Sequence, residues 1–501
     1  MARGPAELAV PASGPASCKD APPQEMNGTT TAGGEKAHAV GTRVRAFAAF
    51  DKNYHVAEIV EYRKTGGRGN AAFEYYVHYV DYNKRVDEWV SGSKIHLNMP
   101  SVSLKAISPT SPDGTSPLGS NGRKVTRTMK RRYNEMHNVV TTEELTPNDR
   151  LLEKEHEERT KVKNIQMIEM GKYNVDTWYW APYPDEYGTQ EKLFVCEFCL
   201  KYMRKRSSCM KHKAKCSVRE PPGKEIYRHP HRPGLPALSM YEVDGSDKAA
   251  HLYCQNLCLC SKLFLDHKTL FFDVNPFLFY ILTEKDDAGN AHVVGYFSKE
   301  KASVEQNLAC ILVLPPFQRR GYGSFLISFA YELSKREARI GTPERPLSDL
   351  GQVSFRSYWT RVVLEVLREH EGNISINDIA TLTSIRTDDI VYTLQSLNLI
   401  KYWKGSRVIS ASPKMLDELM RTLGVRQPLY ADPAGLADWT PPYQTVTQQR
   451  TPRVRARPTP MLLEAVAHAD DDDDDEDEED EDEEEDDEKL EMDEEADMEE
   501  D

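Results

Sequence analysis

The sequence predicts a multidomain protein of mixed α/β class with a separate, small all-β module. Residues 40–98 contain short alternating apolar segments around a glycine-rich turn, which is typical of antiparallel strands. Residues 308–338 contain an apolar strand, a basic turn with two glycines and a helix of regular apolar period. Residues 360–410 predict three helices followed by a hairpin, which is the order of elements in a winged helix.

Length and cysteine usage limit the class of protein. A chain of 501 residues is long enough for about three domains. There is no apolar N-terminal signal and no apolar run of membrane-spanning length, so we expect a soluble protein with no membrane partner. Its nine cysteines are then expected to be reduced rather than paired in disulfides.

The formal net charge of −16 combines two parts of opposite sign. Residues 470–501 hold 27 acidic residues and one lysine, a net charge of −26, so the other 469 residues carry +10. An acidic run of this kind buries too little apolar surface to fold, which predicts disorder. The basic body suits an anionic partner, and the acidic tail suits histones or shields the body from non-specific contacts with nucleic acid.

Composition also predicts the remaining flexible segments. Residues 1–38 are rich in Ala, Pro, Gly and Ser and are expected to be disordered, and residues 99–159 and 441–469 are expected to be linkers. The first linker contains a basic cluster at residues 124–132, which is either a nuclear localisation signal or a solvated stretch of linker.

The small β module has two candidate ligands. Its aromatic residues favour a cage for methyl-lysine, although Tyr76 and Tyr79 must face opposite sides of one strand, so that part of the set belongs to the core. The candidate cage residues are Tyr54, Tyr76, Tyr79, Tyr82 and Trp89. Binding of RNA or DNA is an equal alternative, through the basic turn residues Arg63, Lys64, Arg68, Lys84 and Arg85.

The turn Gln318–Ser324 is a candidate phosphate site. A helix that begins near Gly323 leaves its first N–H groups unpaired, and such a terminus favours phosphate. Gly321 and Gly323 permit a close backbone approach, while Arg319 and Arg320 add positive charge. The alternative is an ordinary strand–turn–helix with a basic surface turn.

The predicted winged helix contains helices at 360–370, 375–383 and 386–397 and a hairpin after them. Its order of elements is typical of DNA-binding modules. The expected recognition helix carries Asp388 and Asp389 rather than basic residues, which favours a packing role over DNA binding.

The strongest local motif is Cys-x2-Cys-x12-His-x3-Cys, formed by Cys196, Cys199, His212 and Cys216. These four ligands suit a tetrahedral zinc ion, and since all four positions are filled by protein we predict a structural role. We expect Cys209 to be a bystander. A second group, Cys254, Cys258 and Cys260, has no fourth ligand at a suitable spacing and predicts buried free thiols.

Several long segments together resemble one family, the MYST-type histone acetyltransferases, and among them the MOF-like and plant members with an N-terminal chromo-barrel. The resemblance covers residues 40 to about 440. The segments that carry it are Tyr76–Tyr79, Asp87–Val90, Cys196–Cys199, Leu263–Leu270, Gly295–Glu300, Asn307–Cys310, Gln318–Gly323 and Gly341–Gly351.

The resemblance implies an α/β acetyltransferase core of the acyl-CoA N-acyltransferase type, flanked by a zinc finger and a winged helix. It gives a chromo-barrel at 39–98 and an acetyltransferase domain at 160–440. Within that domain it gives a zinc finger at 194–219, an acetyl-CoA core at 225–350 and a winged helix at 351–425.

The resemblance also implies transfer of acetyl from acetyl-CoA to lysines of histone tails. It assigns Glu344 as general base, Cys310 as active-site cysteine and Lys268 as an autoacetylated lysine. It assigns acetyl-CoA contacts to Ile311, Leu312, Val313, Gln318, Arg319, Arg320, Gly321, Tyr322, Gly323, Ser324, Ser348 and Ser357. Without it, Glu344 would be interpreted as a solvated loop acid and Lys268 as a surface lysine.

Two routes of transfer remain open at Cys310. An acetyl-enzyme needs a thiolate and a nearby base, whereas direct attack of lysine on acetyl-CoA needs only a base such as Glu344. The apolar surroundings of Cys310 disfavour the thiolate and therefore favour the direct route.

The resemblance predicts a nuclear enzyme that acts on nucleosomes inside a chromatin-modifying complex. It gives the tail of histone four as the first candidate substrate. The alternative of another class is a non-catalytic chromatin or nucleic-acid adaptor built from the barrel, finger and winged helix. Glu344 and an intact Gln318–Ser324 turn favour the enzyme, because an adaptor needs neither.

Overall fold

The structure is a computed structural model. It describes residues 37–65, 73–97, 147–230, 236–268, 272–370, 372–403, 406–423 and 428–442. The predicted N-terminal disorder, apart from residues 37 and 38, lies outside these residues. So do residues 99–146 of the first predicted linker (with the basic cluster at 124–132), residues 443–469 of the second linker and the acidic tail. Residues 147–159 of the first linker lie in a helix, which its composition did not predict. None of the described helices is both long and apolar enough to cross a membrane.

The first module is an antiparallel five-stranded sheet in the order β4-β3-β2-β1-β5. Its strands are β1 (Arg43–Phe47), β2 (Tyr54–Lys64), β3 (Phe73–Tyr79), β4 (Glu88–Ser91) and β5 (Ile95–His96). The apolar alternation explains its core: Tyr75, Val77 and Tyr79 of β3 are fully buried inside it.

Tyr76 faces away from that core, which confirms the predicted opposite orientation of Tyr76 and Tyr79. Its ring lies 5.5 Å from the ring of Trp89, yet only 2 % of the residue is exposed. The burial comes from the following module, since the backbone of Lys163 forms a hydrogen bond with Tyr76.

Polar contacts also join the barrel to the rest of the chain. The hydroxyl of Tyr179 donates to Asn83 Oδ1 at 3.0 Å, and Arg85 forms an ion pair with Asp349 at 3.0 Å. The barrel therefore packs against the larger domain through its outer face.

The second module carries the cysteine motif. A four-stranded sheet in the order β7-β6-β8-β9 supports it. Its elements are α1 (Pro147–Thr160), β6 (Met167–Met170), β7 (Tyr173–Asp176), α2 (Asp185–Gly188), β8 (Lys192–Val195), β9 (Tyr202–Met203) and α3 (Arg206–Lys215).

The central module is an antiparallel sheet in the order β10-β11-β12-β13-β15, covered by two helices. Its elements are β10 (Lys224–Arg228), β11 (Ala237–Asp244), α4 (His251–Lys262), β12 (Phe277–Lys285), β13 (Ala291–Glu300), β14 (Gln306–Leu308), β15 (Ile311–Val313), α5 (Tyr322–Arg336) and β16 (Thr342–Pro343). As predicted, Cys254, Cys258 and Cys260 of α4 are free and buried.

One sequence expectation is wrong here. The apolar run that begins at Leu308 is two strands rather than one, because β14 pairs in parallel with β16 while β15 pairs antiparallel with β13. Ala309 and Cys310 form the step between them. Apolar composition does not register such a change of partner, since both strands are equally apolar.

The C-terminal part has the predicted order of three helices and a hairpin. Its elements are α6 (Asp349–Glu369), α7 (Ile376–Thr383), α8 (Thr387–Ser396), β17 (Ile400–Trp403), β18 (Ser406–Ile409) and α9 (Pro413–Thr422). The first helix begins at Asp349 instead of residue 360. Ser348 caps it by accepting a hydrogen bond from Gly351 N, a local signal that the apolar period alone misses.

Candidate functional site

The step between β14 and β15 forms the centre of the site. Three hydrogen bonds to Ser298 of β13 hold it: Ala309 N donates to Ser298 O at 2.8 Å, Ser298 N donates to Cys310 O at 2.9 Å, and Cys310 N donates to Ser298 Oγ at 3.2 Å. Cys310 is half-buried as a result, at the end of the sheet rather than inside it.

Strand β15 then forms the edge of the central sheet among the described residues. Its pairing with β13 uses alternate peptide groups, so those of Ile311 and Val313 point away from the sheet. The Gln318 side chain donates to Val313 O at 2.9 Å, which leaves the rest of this edge for an extended ligand that carries amide groups.

The basic turn follows this edge and leads into α5. Gly321 has a φ of +92° and precedes the first turn of the helix, with no side chain that caps it. Among the described residues the first N–H groups of α5 therefore have no partner, and they form an anion site. A Cβ added at Gly323 would meet no atom of the described part of the chain within 4 Å, so it has space in this turn.

The side chains of the turn divide between solvent and protein. Arg319 and Arg320 are both exposed, and the Arg320 guanidinium lies 5.3 Å from the centre of the Phe317 ring and 3.5 Å from Glu284. Tyr322 is buried and its hydroxyl donates to Glu284, so only its backbone faces the anion site. Ser324 is half-buried in the first turn of the helix.

Glu344 lies on the other side of the step. Its N–H donates to Leu308 O at 2.7 Å, which ties it to the strand that ends just before Cys310. The side chain is open to solvent, but the protein around the carboxylate removes part of its hydration. This desolvation raises the pKa of Glu344; Lys268 opposes the effect and Glu300 adds to it.

Lys268 is buried at the same place, with 8 % of the residue exposed, which excludes the alternative of a surface lysine. Its Nζ lies 3.7 Å from Cys310 Sγ. Burial disfavours the ammonium, but Tyr296, Cys310 and Cys258 around it favour the charged form, and the balance raises the pKa of Lys268. The structure thus brings together a carboxylate, an ammonium and a thiol from three distant segments.

Two of the predicted site residues lie on α6 or at its start. Ser348 Oγ is engaged as the cap of that helix, and Ser357 is exposed two turns further along it.

The cysteine motif forms a compact cluster. Ligand atoms from Cys196, Cys199, His212 and Cys216 lie within 4.8 Å of one another, a spacing that fits one tetrahedral zinc ion. Leu200, with a φ of +61°, closes the first pair, and Cys216 ends α3 four residues after His212. Cys209 lies on the same helix but outside the cluster, as predicted.

The cluster is fastened to the central sheet. Glu197, inside the first cysteine pair, forms ion pairs at 3.2 Å with Lys213 of α3 and with His292 of β13. The ring of Phe198 lies 5.1 Å from that of His292. Loss of the metal is therefore expected to loosen the start of β13, whose other end holds Cys310.

Comparison with known proteins decides the family. Family models match in three places: the MOZ/SAS family at 220–431, the MYST family zinc finger domain at 162–216, and an RNA binding activity-knot of a chromodomain at 39–97. The chain is 51% identical over 403 residues to histone acetyltransferase of the MYST family 1 from Arabidopsis thaliana, a match that covers 80% of this chain and 85% of the relative.

The chain belongs to the MYST family. A putative MYST-like histone acetyltransferase 1 from rice is 50% identical over 404 residues, with 80% of this chain and 85% of the relative covered. Histone acetyltransferase MOF from Drosophila melanogaster is 42% identical over 435 residues, with 78% of this chain and 51% of the relative covered. The predicted family, acetyltransferase fold and enzyme class are confirmed.

Both small partners of a MYST acetyltransferase fit this chain. The cluster of three cysteines and one histidine supplies all four ligands of a structural zinc ion. Acetyl-CoA needs an anion site for its pyrophosphate and a peptide edge for its pantetheine amides, and the turn before α5 and the outer edge of β15 offer these in sequence.

Sequence reasoning missed residues that act by contact alone. Ser298, Tyr296 and Cys258 surround Cys310 and Lys268, but nothing in their spacing distinguishes them from other core positions. In the barrel, Phe50 and His55 join Tyr79 and Tyr82 in one ring cluster, with Phe50 5.2 Å from Tyr82.

The five candidate cage residues do not lie together in the structure, so the predicted cage is wrong as a single group. Trp89 pairs with Tyr76 against the larger domain, and Tyr54 packs on Phe47 and His96. Only Tyr79 and Tyr82 of the five belong to the cluster, and Tyr76 lies apart from them because alternate residues of β3 face opposite sides of the barrel.

We predict that Cys199→Ser abolishes zinc binding and lowers the melting temperature, because three remaining ligands hold zinc weakly. Zinc content by elemental analysis and thermal unfolding measure the effect. Cys209→Ala is the control and should keep one zinc ion per chain; loss of zinc in that variant would contradict the assigned ligand set.

Alanine substitutions at the two glycines of the turn should have opposite effects on stability. Gly323→Ala meets open space and adds a good helix former, so the melting temperature should stay level or rise slightly, while the Kd for acetyl-CoA should increase at least tenfold because the methyl group occupies the anion site.

Gly321→Ala is the comparison variant. It should lose about 1 kcal/mol of stability because of its φ of +92°. Calorimetric titration and thermal melts separate the two effects, and undiminished acetyl-CoA affinity in Gly323→Ala would exclude this turn as the pyrophosphate site.

Proposed function

We propose that this protein is a histone lysine acetyltransferase that uses Glu344 as general base at the step between β14 and β15. The observation that carries the proposal is the convergence of Glu344, Lys268 and Cys310 beside the outer edge of β15 and an anion site. A non-catalytic adaptor has no use for such an arrangement.

The need for a base follows from the substrate. A lysine with a pKa of ~10.4 is protonated at neutral pH, and reaching the neutral amine costs roughly 4.6 kcal/mol. A carboxylate with a raised pKa accepts that proton more readily than an ordinary glutamate, and Glu344 meets this condition.

Transfer then forms an N–C bond at the lysine amine and breaks the C–S bond of the thioester. Acetyl-CoA supplies the acetyl group. Glu344 takes the first proton of the substrate ammonium and passes it to solvent, and the second proton of the nitrogen goes to the sulfur as the C–S bond breaks. Ser298 forms hydrogen bonds with the backbone of Cys310 between β14 and β15. These bonds fix the side of the site next to which the amine and the thioester react.

We assign cofactor contacts in two groups. Ile311, Leu312 and Val313 would align the pantetheine arm along the outer edge of β15. The pyrophosphate would lie on the turn and the start of α5, against Gln318, Arg319, Arg320, Gly321, Tyr322, Gly323 and Ser324. Ser348 and Ser357, at the start and on the surface of α6, would complete the contacts.

Lys268 is proposed as the site of autoacetylation. Its ammonium lies between the thiols of Cys258 and Cys310, and it lowers the pKa of Glu344. Acetylation removes this charge, so it would allow the pKa of the base to rise further.

Cys310 is proposed to line the site while the substrate lysine attacks acetyl-CoA directly. Cys310→Ala is then expected to retain measurable transfer, and a single turnover of the wild-type protein should leave no acetyl group on Cys310. Mass spectrometry of the quenched reaction measures it. Stoichiometric acetyl-Cys310 would contradict direct transfer.

Glu344→Gln tests the proposed function. We expect acetyl-CoA affinity within about twofold of wild type, with kcat reduced by about 10²–10⁴-fold because the base is lost. Wild-type kcat/KM should fall on acidification at a pH above the usual pKa of a glutamate, since activity needs the deprotonated carboxylate and its pKa is raised.

The variant should lack this acidic limb, and its deficit should shrink toward about pH 10, where substrate lysine loses its own proton. Rates on a histone peptide across pH provide the test. A variant with wild-type rates would remove Glu344 from the mechanism.

The substrate is proposed to be a lysine of histone tails in nucleosomes, with histone four as the first candidate, in the nucleus and within a chromatin-modifying complex. The curated relatives named above are histone acetyltransferases, which supports the substrate class. The proposed division is a barrel at 39–98 and a catalytic domain at 160–440 with finger, core and winged helix inside it.

We further propose that the barrel binds methyl-lysine at the rings of Phe50, His55 and Tyr82, which pack on the buried ring of Tyr79. Phe50 and Tyr82 are 45% and 39% exposed, so a methylammonium group has access to their faces. RNA binding through the basic turns is less favoured, because Arg63 pairs with Glu74 and Glu191 while Arg85 pairs with Asp349.

A further inference from the structure

The segment that carries Glu344 is clamped by one buried carboxylate. Asp389 on α8 is 1% exposed and uses each of its two oxygens once. Thr342 Oγ1 donates to Asp389 Oδ2 at 2.7 Å, and Arg345 Nη2 donates to Asp389 Oδ1 at 2.6 Å. The two donors lie on either side of Glu344 in sequence, two residues before it and one after it.

Other contacts leave this segment little freedom. Gly341 N donates to Ser384 O at 2.9 Å, and Glu344 N donates to Leu308 O at 2.7 Å. A Cβ at Gly341 would lie 2.7 Å from Asn307 Cβ, so the chain passes close to β14. These backbone bonds fix the path of the segment, whereas Asp389 fixes the two side chains that flank the base.

The burial of Asp389 needs a reason of its own. A carboxylate removed from water is costly unless a cation and hydrogen bonds satisfy it, and Arg345 and Thr342 supply both. An apolar residue at this position would leave the Thr342 hydroxyl and the Arg345 guanidinium without this acceptor. An aspartate at this position therefore indicates that Asp389 orders the segment that carries Glu344, rather than that it packs α8 against the core.

We propose that Asp389 is a positioning residue that holds Glu344 in its reactive place. The proposal rests on Glu344 as the proposed base. It also gives the winged-helix part a role in catalysis: the acidic residue that argued against DNA recognition faces inward and orders the catalytic segment. Asp389 itself contacts no reacting atom.

Asp389→Asn tests the proposal in the full-length protein. The asparagine keeps the size of the side chain but replaces one acceptor oxygen and removes the charge that pairs with Arg345. A displacement of the base by about 1 Å costs up to ~10²-fold in rate. We therefore expect kcat to fall about 10–100-fold, while KM for acetyl-CoA stays within about twofold.

Asp388→Asn is the matched control. Asp388 is the preceding residue of the same helix, its side chain is 67% exposed, and it pairs with Arg386. This variant should keep the wild-type kcat. A Thr342→Val variant removes a single hydrogen bond with little change of shape, and it should lower kcat several-fold even if Asp389→Asn fails to fold.

The double variant Glu344→Gln/Asp389→Asn separates positioning from a general loss of structure. If Asp389 acts through Glu344, its replacement should add little to the loss already caused by Glu344→Gln. Multiplicative losses in the double variant would overturn the proposal. A folded Asp389→Asn or Thr342→Val variant with the wild-type kcat would also overturn it. So would a fall in kcat equal to the fall in the number of acetyl-CoA sites per chain measured by calorimetry, because the loss would then come from unfolded protein.

Failure of the underlying assignment gives a different result. If Glu344→Gln alone keeps the wild-type rate, Glu344 is not the base, whatever the Asp389 variants do. If Glu344→Gln is inactive while folded Asp389→Asn is fully active, the base stands and the positioning role is refuted.

Discussion

The change of pairing partner between Leu308 and Ile311 is the constraint on which the site depends. One strand of this run pairs with Thr342–Pro343 and the next pairs with β13, so the chain must step between two sheets at Ala309 and Cys310. The first pairing fixes the segment of Glu344, and the second leaves an open edge that leads to the turn before α5. A single continuous strand would provide neither.

Sequence patterns predicted the elements whose signal is local. The zinc ligands follow from spacing, the turn follows from its two glycines, and the inward and outward faces of β3 follow from alternation. The role of Glu344 as a base was identified only through the family resemblance. The chemistry of Glu344 and Cys310 depends on contacts between distant segments, which no local pattern encodes.

The expectations that differ from the structure share this cause. The apolar run at Leu308 gave no sign of a change of partner, and the barrel aromatics gave no sign that Tyr76 and Trp89 would be covered by the larger domain. Asp389 is the clearest case. Its charge counted against DNA recognition in the sequence, but its partners Thr342 and Arg345 lie more than forty residues away.

A crystal structure of the protein with bound coenzyme A tests the central claim most directly. The account predicts the pyrophosphate on the N–H groups of the turn before α5, the pantetheine amides along Ile311 and Val313, and the sulfur at the step beside Cys310 and Glu344. A ligand whose sulfur lies away from this step, or whose pyrophosphate avoids the turn, would contradict it.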